Sequence, residues 1–187
     1  GFANLVAAAV AFVGTHFALS HPLRVPVVKA IGPVGFQIVY SLVAFATLGW
    51  MVMAFRAVGP GAGPWDGSQG LPWALASLLT LIAAVLFTGS LLGNPALPDP
   101  RAAALADKPV HGVFHVTRHP MMWGFALWGV AHILVAPRID NFIFAGSLVF
   151  LALVGSKAQE IKKRKLMGAE WDGWLGRTHF AIHPVAL

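Results

Sequence analysis

The sequence predicts an all-α polytopic membrane helical bundle of about five transmembrane helices, followed by a C-terminal amphipathic helix at the interface. Three observations carry this. The chain is 57% hydrophobic and 11% charged, with a mean hydropathy of +0.72, whereas soluble domains carry about 25% charged residues. Its few charges leave uncharged stretches at 1–23, 30–55, 67–98, 119–137 and 141–156, to be set against the ~20 apolar residues that span a bilayer. Lys and Arg are also divided unevenly between the two sides that five spans define.

One domain covers 1–187, with no internal repeat. The segment Asn4–Ser20 has no basic region ahead of it and leads into more membrane, so it reads as a first span and not as a cleaved signal. The prolines of His21–Pro26 interrupt the chain and predict a short turn. Span 2 is expected over about Val34–Val58, ending in the Gly/Pro loop from Gly59 to Trp65, and span 3 over about Pro72–Leu92. Trp50, Trp65 and Trp73 suit an aromatic belt at the outer interface. The longest loop is Gly93–Thr117. Its prolines at 95, 98 and 100 exclude regular structure, and a short helical piece is expected near Arg101–Ala106. Span 4 is bounded by Pro120 and Pro137. Span 5, over the shortest stretch, relies on Asp140 and Lys157 snorkelling at its ends. Lys157–Gly176 carries Ile161, Leu166, Trp171, Trp174 and Leu175 as an apolar stripe and reads as an interfacial helix.

Five spans put Arg56 and Arg138 on one side. Arg24, Lys29, Arg101, Lys108, Arg118, Lys157, Lys162, Lys163, Arg164, Lys165 and Arg177 fall on the other. The positive-inside rule then sets the N-terminus outside and the C-terminus in the cytoplasm. The net charge of +6 is therefore topological, with membrane lipid as the partner and no nucleic acid. The chain has no cysteine, which excludes disulfides, thiolate ligands and cysteine nucleophiles.

The most informative single residue is His132, ionisable and set inside an apolar run. A polar group at membrane depth is costly and is read by default as functional. It lies about twelve residues, or roughly 18 Å, into span 4. It reads either as a neutral imidazole bonded to a neighbouring helix or as a ligand to haem or a metal. His16 lies about one turn inside the cytoplasmic boundary, and His21 just outside it. Two membrane histidines among several helices suit a b-type haem, although His16 lies roughly 10 Å nearer the cytoplasm than His132.

Arg118-His119-Pro120 stands where a loop turns into span 4, with a guanidinium able to fork onto carboxylate or phosphate. His111, His115 and His119 would form one stripe on a helix and so a Cu or Zn site, but Gly112, Pro109 and Pro120 weaken any helix there. Glu160 is spaced for an i,i+4 pair with Arg164. It also lies on the same side as Arg118 and His119, so these three are expected to gather near the long loop, forming a polar site or a clamp for a haem propionate. His179 and His183 read as surface residues. Gln37, Tyr40, Thr80 and Ser147 are the other polar groups at membrane depth and are candidates to line a cavity.

The segment Thr117-Arg-His-Pro-Met-Met-Trp-Gly-Phe-Ala-Leu-Trp-Gly-Val-Ala-His132, with the opening Thr15-His-Phe-Ala-Leu-Ser-His-Pro-Leu-Arg24, resembles the signatures of NnrU-type membrane proteins. The resemblance covers nearly the whole chain and implies a bacterial inner-membrane protein linked to denitrification and nitric oxide metabolism. Plant zeta-carotene isomerases are homologous to that family and are similar in the Arg-His-Pro segment and in the Trp-x-x-Ala-His that follows it. Their b-type haem is held by two histidines, which the resemblance carries onto His132 and His16. The isomerases also have a cysteine three residues before the second histidine, where this chain has Gly129. A more distant similarity is to isoprenylcysteine and phospholipid methyltransferases, whose Arg-His-Pro segment and later Glu-Glu pair bind S-adenosylmethionine. Here Met122 stands at their tyrosine, their glycine is displaced to Gly124, and the pair is Gln159-Glu160.

The resulting expectation is a membrane haem-b protein with His16 and His132 as axial ligands and Arg118 and His119 near the cofactor, taking a small gaseous or apolar ligand. The alternatives are a haem-dependent cis–trans isomerase of a polyene, a membrane methyltransferase, or an assembly factor without cofactor.

Overall fold

The computed structural model describes residues 1–184, and among these every regular element is helical. The order is α1 (Phe2–Ser20), α2 (Arg24–Val58), α3 (Gly70–Gly89), α4 (Ala102–Asp107), a 3₁₀ turn (Gly112–His115), α5 (Pro120–Val135), α6 (Ile139–Met167) and α7 (Ala169–Arg177). Four of them (α1, α2, α3 and α6) are long and apolar enough to cross a membrane. The shorter α5 runs between the same two faces. Its N-terminus adjoins the long loop, and near its C-terminus the Leu134 carbonyl accepts the Trp65 indole N–H at 2.8 Å. The protein is a multi-pass membrane bundle. The face holding the α1–α2 turn, the long loop and the C-terminal segment is called the basic face below.

The expected relation between spans 4 and 5 is reversed. Proline stops α5 at both ends, so it has 16 residues, whereas α6 runs for 29. The apolar part of α6 is Asn141–Ser156, and the helix continues through Lys157–Met167 because that extension packs on the long loop. Gln159 donates to the Ala96 carbonyl and Lys163 to the Leu97 carbonyl. Gly168, with φ of 56°, then breaks the chain, so Lys157–Gly176 is not one interfacial helix. Its second half is α7, and the apolar face of α7 is turned onto protein. Trp171 and Trp174 are fully buried against Ala96, Ala106 and Phe114. The α1–α2 turn is also shorter than expected. Helix resumes at Arg24, and the break falls instead at Gly32 (φ 75°, ψ 171°), ahead of Pro33.

Within the bundle α2 packs on α1, α1 on α6, α6 on α5, and α5 on α3. Leu5, Ala8, Ala9, Phe12, Met51 and Ala54 form the core where α1 and α2 meet α6. Small residues close the other interfaces. A Cβ added to Gly129 would lie 2.7 Å from Val149 Cγ2 and 3.1 Å from the Ala145 carbonyl, and one added to Gly124 would lie 3.0 Å from the Ala83 carbonyl. Such close backbone approach is how helices associate where lipid removes the hydrophobic drive.

Candidate functional site

The basic face brings together three of the residues singled out in the sequence. Arg118 ends the long loop, His119 caps α5, and Glu160 lies on the extension of α6 past Ser156. Arg118 Nε donates to Glu160 Oε1 at 2.7 Å, and His119 Nε2 donates to the same oxygen at 3.1 Å. Arg118 Nη1 donates to the Leu175 and Thr178 carbonyls. Arg118 therefore binds a carboxylate as its chemistry suggests, and that carboxylate is the protein's own Glu160. Glu160 does not pair with Arg164, which bonds Asp172 across the Gly168 break.

Burial alone would raise the Glu160 pKa. The hydrogen bonds from His119 and Arg118, with the Arg118 charge, outweigh it and hold the carboxyl at about 2. His119 is fully buried, and that burial lowers its pKa below the usual imidazole value despite the Glu160 contact. The centre is thus an ionised Glu160 between Arg118 and a neutral His119. His119 Nδ1 has no partner among the described residues. A second proton there would be a buried donor without an acceptor, which also opposes protonation.

The C-terminal segment seals this centre. Arg118 N–H donates to the His179 carbonyl, and His183 N–H to the Val116 carbonyl. Thr117 Oγ1 and Trp123 Nε1 both donate to the Phe180 carbonyl. The ammonium of Lys157 lies 3.7 Å from the Phe180 ring centroid. The sequence marks His179 and His183 as surface residues. His179 and His183 are indeed exposed, but nothing in the local pattern signals that the backbone between them closes the site.

His16 and His132 lie elsewhere. His16 Nδ1 donates to the Phe12 carbonyl at 2.6 Å, and its ring meets Phe12 and Tyr40 on the α1–α2 side. His132 Nδ1 donates to the Trp128 carbonyl at 2.8 Å, and its ring lies against Trp128 with centroids 3.8 Å apart. It is exposed in a groove of about 370 Å³ lined by Ala76, Ser77, Thr80, Ala131 and Val135. Helix α6 stands between α1 and α5. Along the axis, His16 is four residues from the basic end of α1 and His132 is in the last turn of α5, an offset of about 12 Å. Two axial nitrogens on one iron stand only ~4 Å apart, at about 2 Å per bond. A haem held by both His16 and His132 does not fit this arrangement. A single axial imidazole does fit: each Nδ1–H is held by a backbone carbonyl, which leaves Nε2 as the free lone pair.

His111, extended before the 3₁₀ turn, and His119, at the α5 cap, share no helix with His115. No three His, Asp or Glu residues gather as a metal site among the described residues. Tyr40 accepts from Ser20, Thr80 lines the His132 groove, and Ser147 lines a separate apolar groove between α1 and α6.

The NnrU protein family model matches residues 4–186. The chain belongs to the NnrU family. No curated protein matches it, nor does any solved structure. Arg118-His119-Pro120 caps α5 and anchors the closing segment, and His132 lines the α3–α5 groove with its ring against Trp128.

Proposed function

We propose that this NnrU-family chain is a membrane haem-b protein linked to nitric oxide metabolism, with the iron on Nε2 of His132 in the α3–α5 groove. The observation that carries the reading is the bond from His132 Nδ1–H to the Trp128 carbonyl at 2.8 Å. It fixes the tautomer and ring orientation and leaves a basic nitrogen in an apolar groove, the usual preparation of a metal-binding imidazole. An exposed imidazole on a spanning helix is otherwise costly. When bound, a haem on one imidazole supplies an iron with an open position for a small diatomic ligand. Trp128 supports the imidazole plane. Ser77 and Thr80 return their hydroxyl protons to the Trp73 and Ala76 carbonyls, so they line the groove without competing for Nε2.

A methyltransferase gains no support from the basic face, because Arg118 and Glu160 are engaged with each other and with His119. We assign the basic face to the cytoplasm of a bacterial inner membrane and the N-terminus to the outside, on the division of Lys and Arg.

The test is the absorption spectrum of the detergent-purified full chain, oxidised, reduced, and reduced with nitric oxide. The expected result is a Soret band characteristic of one axial imidazole that shifts with nitric oxide. His132→Ala should lose the haem, and His16→Ala should keep it. Full haem and an unchanged spectrum in His132→Ala would overturn the reading. Equal losses in both variants would restore the two-histidine pairing and require a different helix arrangement.

A further inference from the structure

The segment that closes the cap carries a pair of imidazoles held face to edge. Residues four apart in an extended chain stand about 13 Å apart, yet the rings of His179 and His183 meet with centroids 4.1 Å apart at 82°. The chain between them bends at Phe180 and Ala181. Its two feet are pinned to one short stretch of backbone. Arg118 N–H donates to the His179 carbonyl at 2.7 Å, and His183 N–H donates to the Val116 carbonyl at 2.9 Å. Val116 and Arg118 are separated by a single residue, so the two anchors stand at most about 7 Å apart. Between the feet, the Phe180 carbonyl accepts from Thr117 at 2.7 Å and from Trp123 at 2.8 Å. The fold therefore holds the two rings together, and both side chains are exposed.

This arrangement suits a metal ion, for which neutral imidazole is the commonest protein ligand. An imidazole nitrogen binds such an ion at about 2.0–2.1 Å, which sets each ring centroid about 3.2 Å from it. Two rings at a right angle about the ion then have centroids about 4.5 Å apart, and two at the tetrahedral angle about 5.2 Å. The observed 4.1 Å is nearer the first, the tetragonal arrangement of Cu(II) or Ni(II). Of these, Cu(II) binds nitrogen ligands more tightly. No third His, Asp or Glu joins the pair among the described residues, so the other positions fall to water. The cation at this segment, Lys157, is shared between the Phe180 ring and Glu160, whose Oε2 lies 3.8 Å from its ammonium.

We propose that His179 and His183 bind a divalent ion of tetragonal preference, Cu²⁺ above others, and that the ion clasps the C-terminal segment over the Arg118–His119–Glu160 centre. Backbone hydrogen bonds already hold both feet of the loop, and an ion shared by the two imidazoles closes it a second time. Binding the folded segment more tightly than the open one stabilises the closed cap by mass action. The rings are positioned before the ion arrives, which lowers the ordering cost of binding. The inference does not rest on the haem reading, since His132 lies in a separate groove.

The experiment uses the full chain without a polyhistidine tag, purified in detergent, stripped with a chelator and titrated with Cu²⁺. Equilibrium dialysis counts the bound ion, electron paramagnetic resonance counts the coordinated nitrogens, and trypsin probes the Arg177–Thr178 bond where the segment begins. The wild-type chain should bind the ion through two imidazole nitrogens and be cleaved more slowly with Cu²⁺ than with chelator. His179→Ala and His183→Ala should each weaken binding at least about tenfold, reduce the nitrogen count to one and lose the protection. Both residues are exposed, so neither substitution should disturb folding. His111→Ala and His115→Ala remove exposed histidines of the same face and should change nothing. Full affinity in His183→Ala, or an equal loss in His115→Ala, would assign the ion to scattered surface histidines and overturn the site. Binding by the pair with unchanged cleavage would overturn the clasp.

Discussion

The spanning helices and the cap on the basic face bury opposite kinds of residue. In the bundle the buried side chains are mostly small, such as Ala8, Ala54, Ala83, Ala126 and Ala145, while Phe45, Met53 and Leu81 point outward. In the cap the buried side chains are Trp171, Trp174, Phe114 and His119, knit by hydrogen bonds that cross sixty residues of sequence or more. The surrounding solvent explains the contrast. Large apolar side chains lose nothing by facing lipid, so the bundle interior is selected for close backbone approach. The cap faces water, so it needs aromatic burial, and its long-range hydrogen bonds satisfy buried groups such as Thr117 and Lys163, while Trp171 Nε1, Trp174 Nε1 and His119 Nδ1 have no partner among the described residues.

If the two regions are separable, damage to the cap should leave the helices intact. The largest effect is expected from Arg118→Glu. It faces Glu160 with a second carboxylate and strips donors from the Leu175 and Thr178 carbonyls. Breaking a buried pair in this way costs about 3–5 kcal/mol. Trypsin should then cleave within Lys157–Arg177 while far-ultraviolet dichroism stays near wild type. Loss of helicity along with the cap would mean that the two regions fold as one.

Acid should act next, and on the cap alone. The folded His119 has a pKa below the ordinary value, so the unfolded chain takes up that proton first. This contribution is complete above pH ~6.5 and is lost as pH falls. Glu160, held at about 2, contributes fully above ~4.3 and loses that contribution as pH falls toward about 2. Both act in the same direction, so tryptophan fluorescence should report cap opening on acidification before any loss of helicity. A cap as stable at pH 4 as at pH 7 would contradict the neutral His119.

On the opposite face, Gly67→Ala tests the bundle. A Cβ there would press on the Leu134 and Val135 carbonyls, and backbone cannot swing aside as a side chain can. Overpacking of this kind costs about 1–3 kcal/mol. Thermal unfolding should shift downward with the acid profile of the cap unchanged. The smallest effect belongs to Arg164→Ala. Both partners of its ion pair with Asp172 are more than half exposed, so less than about 1 kcal/mol is expected. A larger loss would mean that the pair holds α7 in place.

The sequence by itself determined the all-helical membrane class, the breaks at proline, the uneven division of Lys and Arg, and the family. Each of these follows from composition or from local residue types, because hydropathy and proline geometry need no distant partner. The gathering of Arg118, His119 and Glu160 was also legible, since topology placed all three on one side and their charges are complementary. Tertiary structure decided the rest. It set His16 against α2 and His132 against α3 with α6 between them, because membrane helices choose neighbours by the fit of small residues, which leaves little trace in hydropathy. It turned Trp171 and Trp174 onto protein in place of lipid, since an amphipathic stripe specifies an apolar partner without saying which. It also broke α2 at Gly32 and so brought the Arg24 guanidinium to 5.0 Å from the Phe36 ring centroid, nearer than twelve residues of unbroken helix would allow.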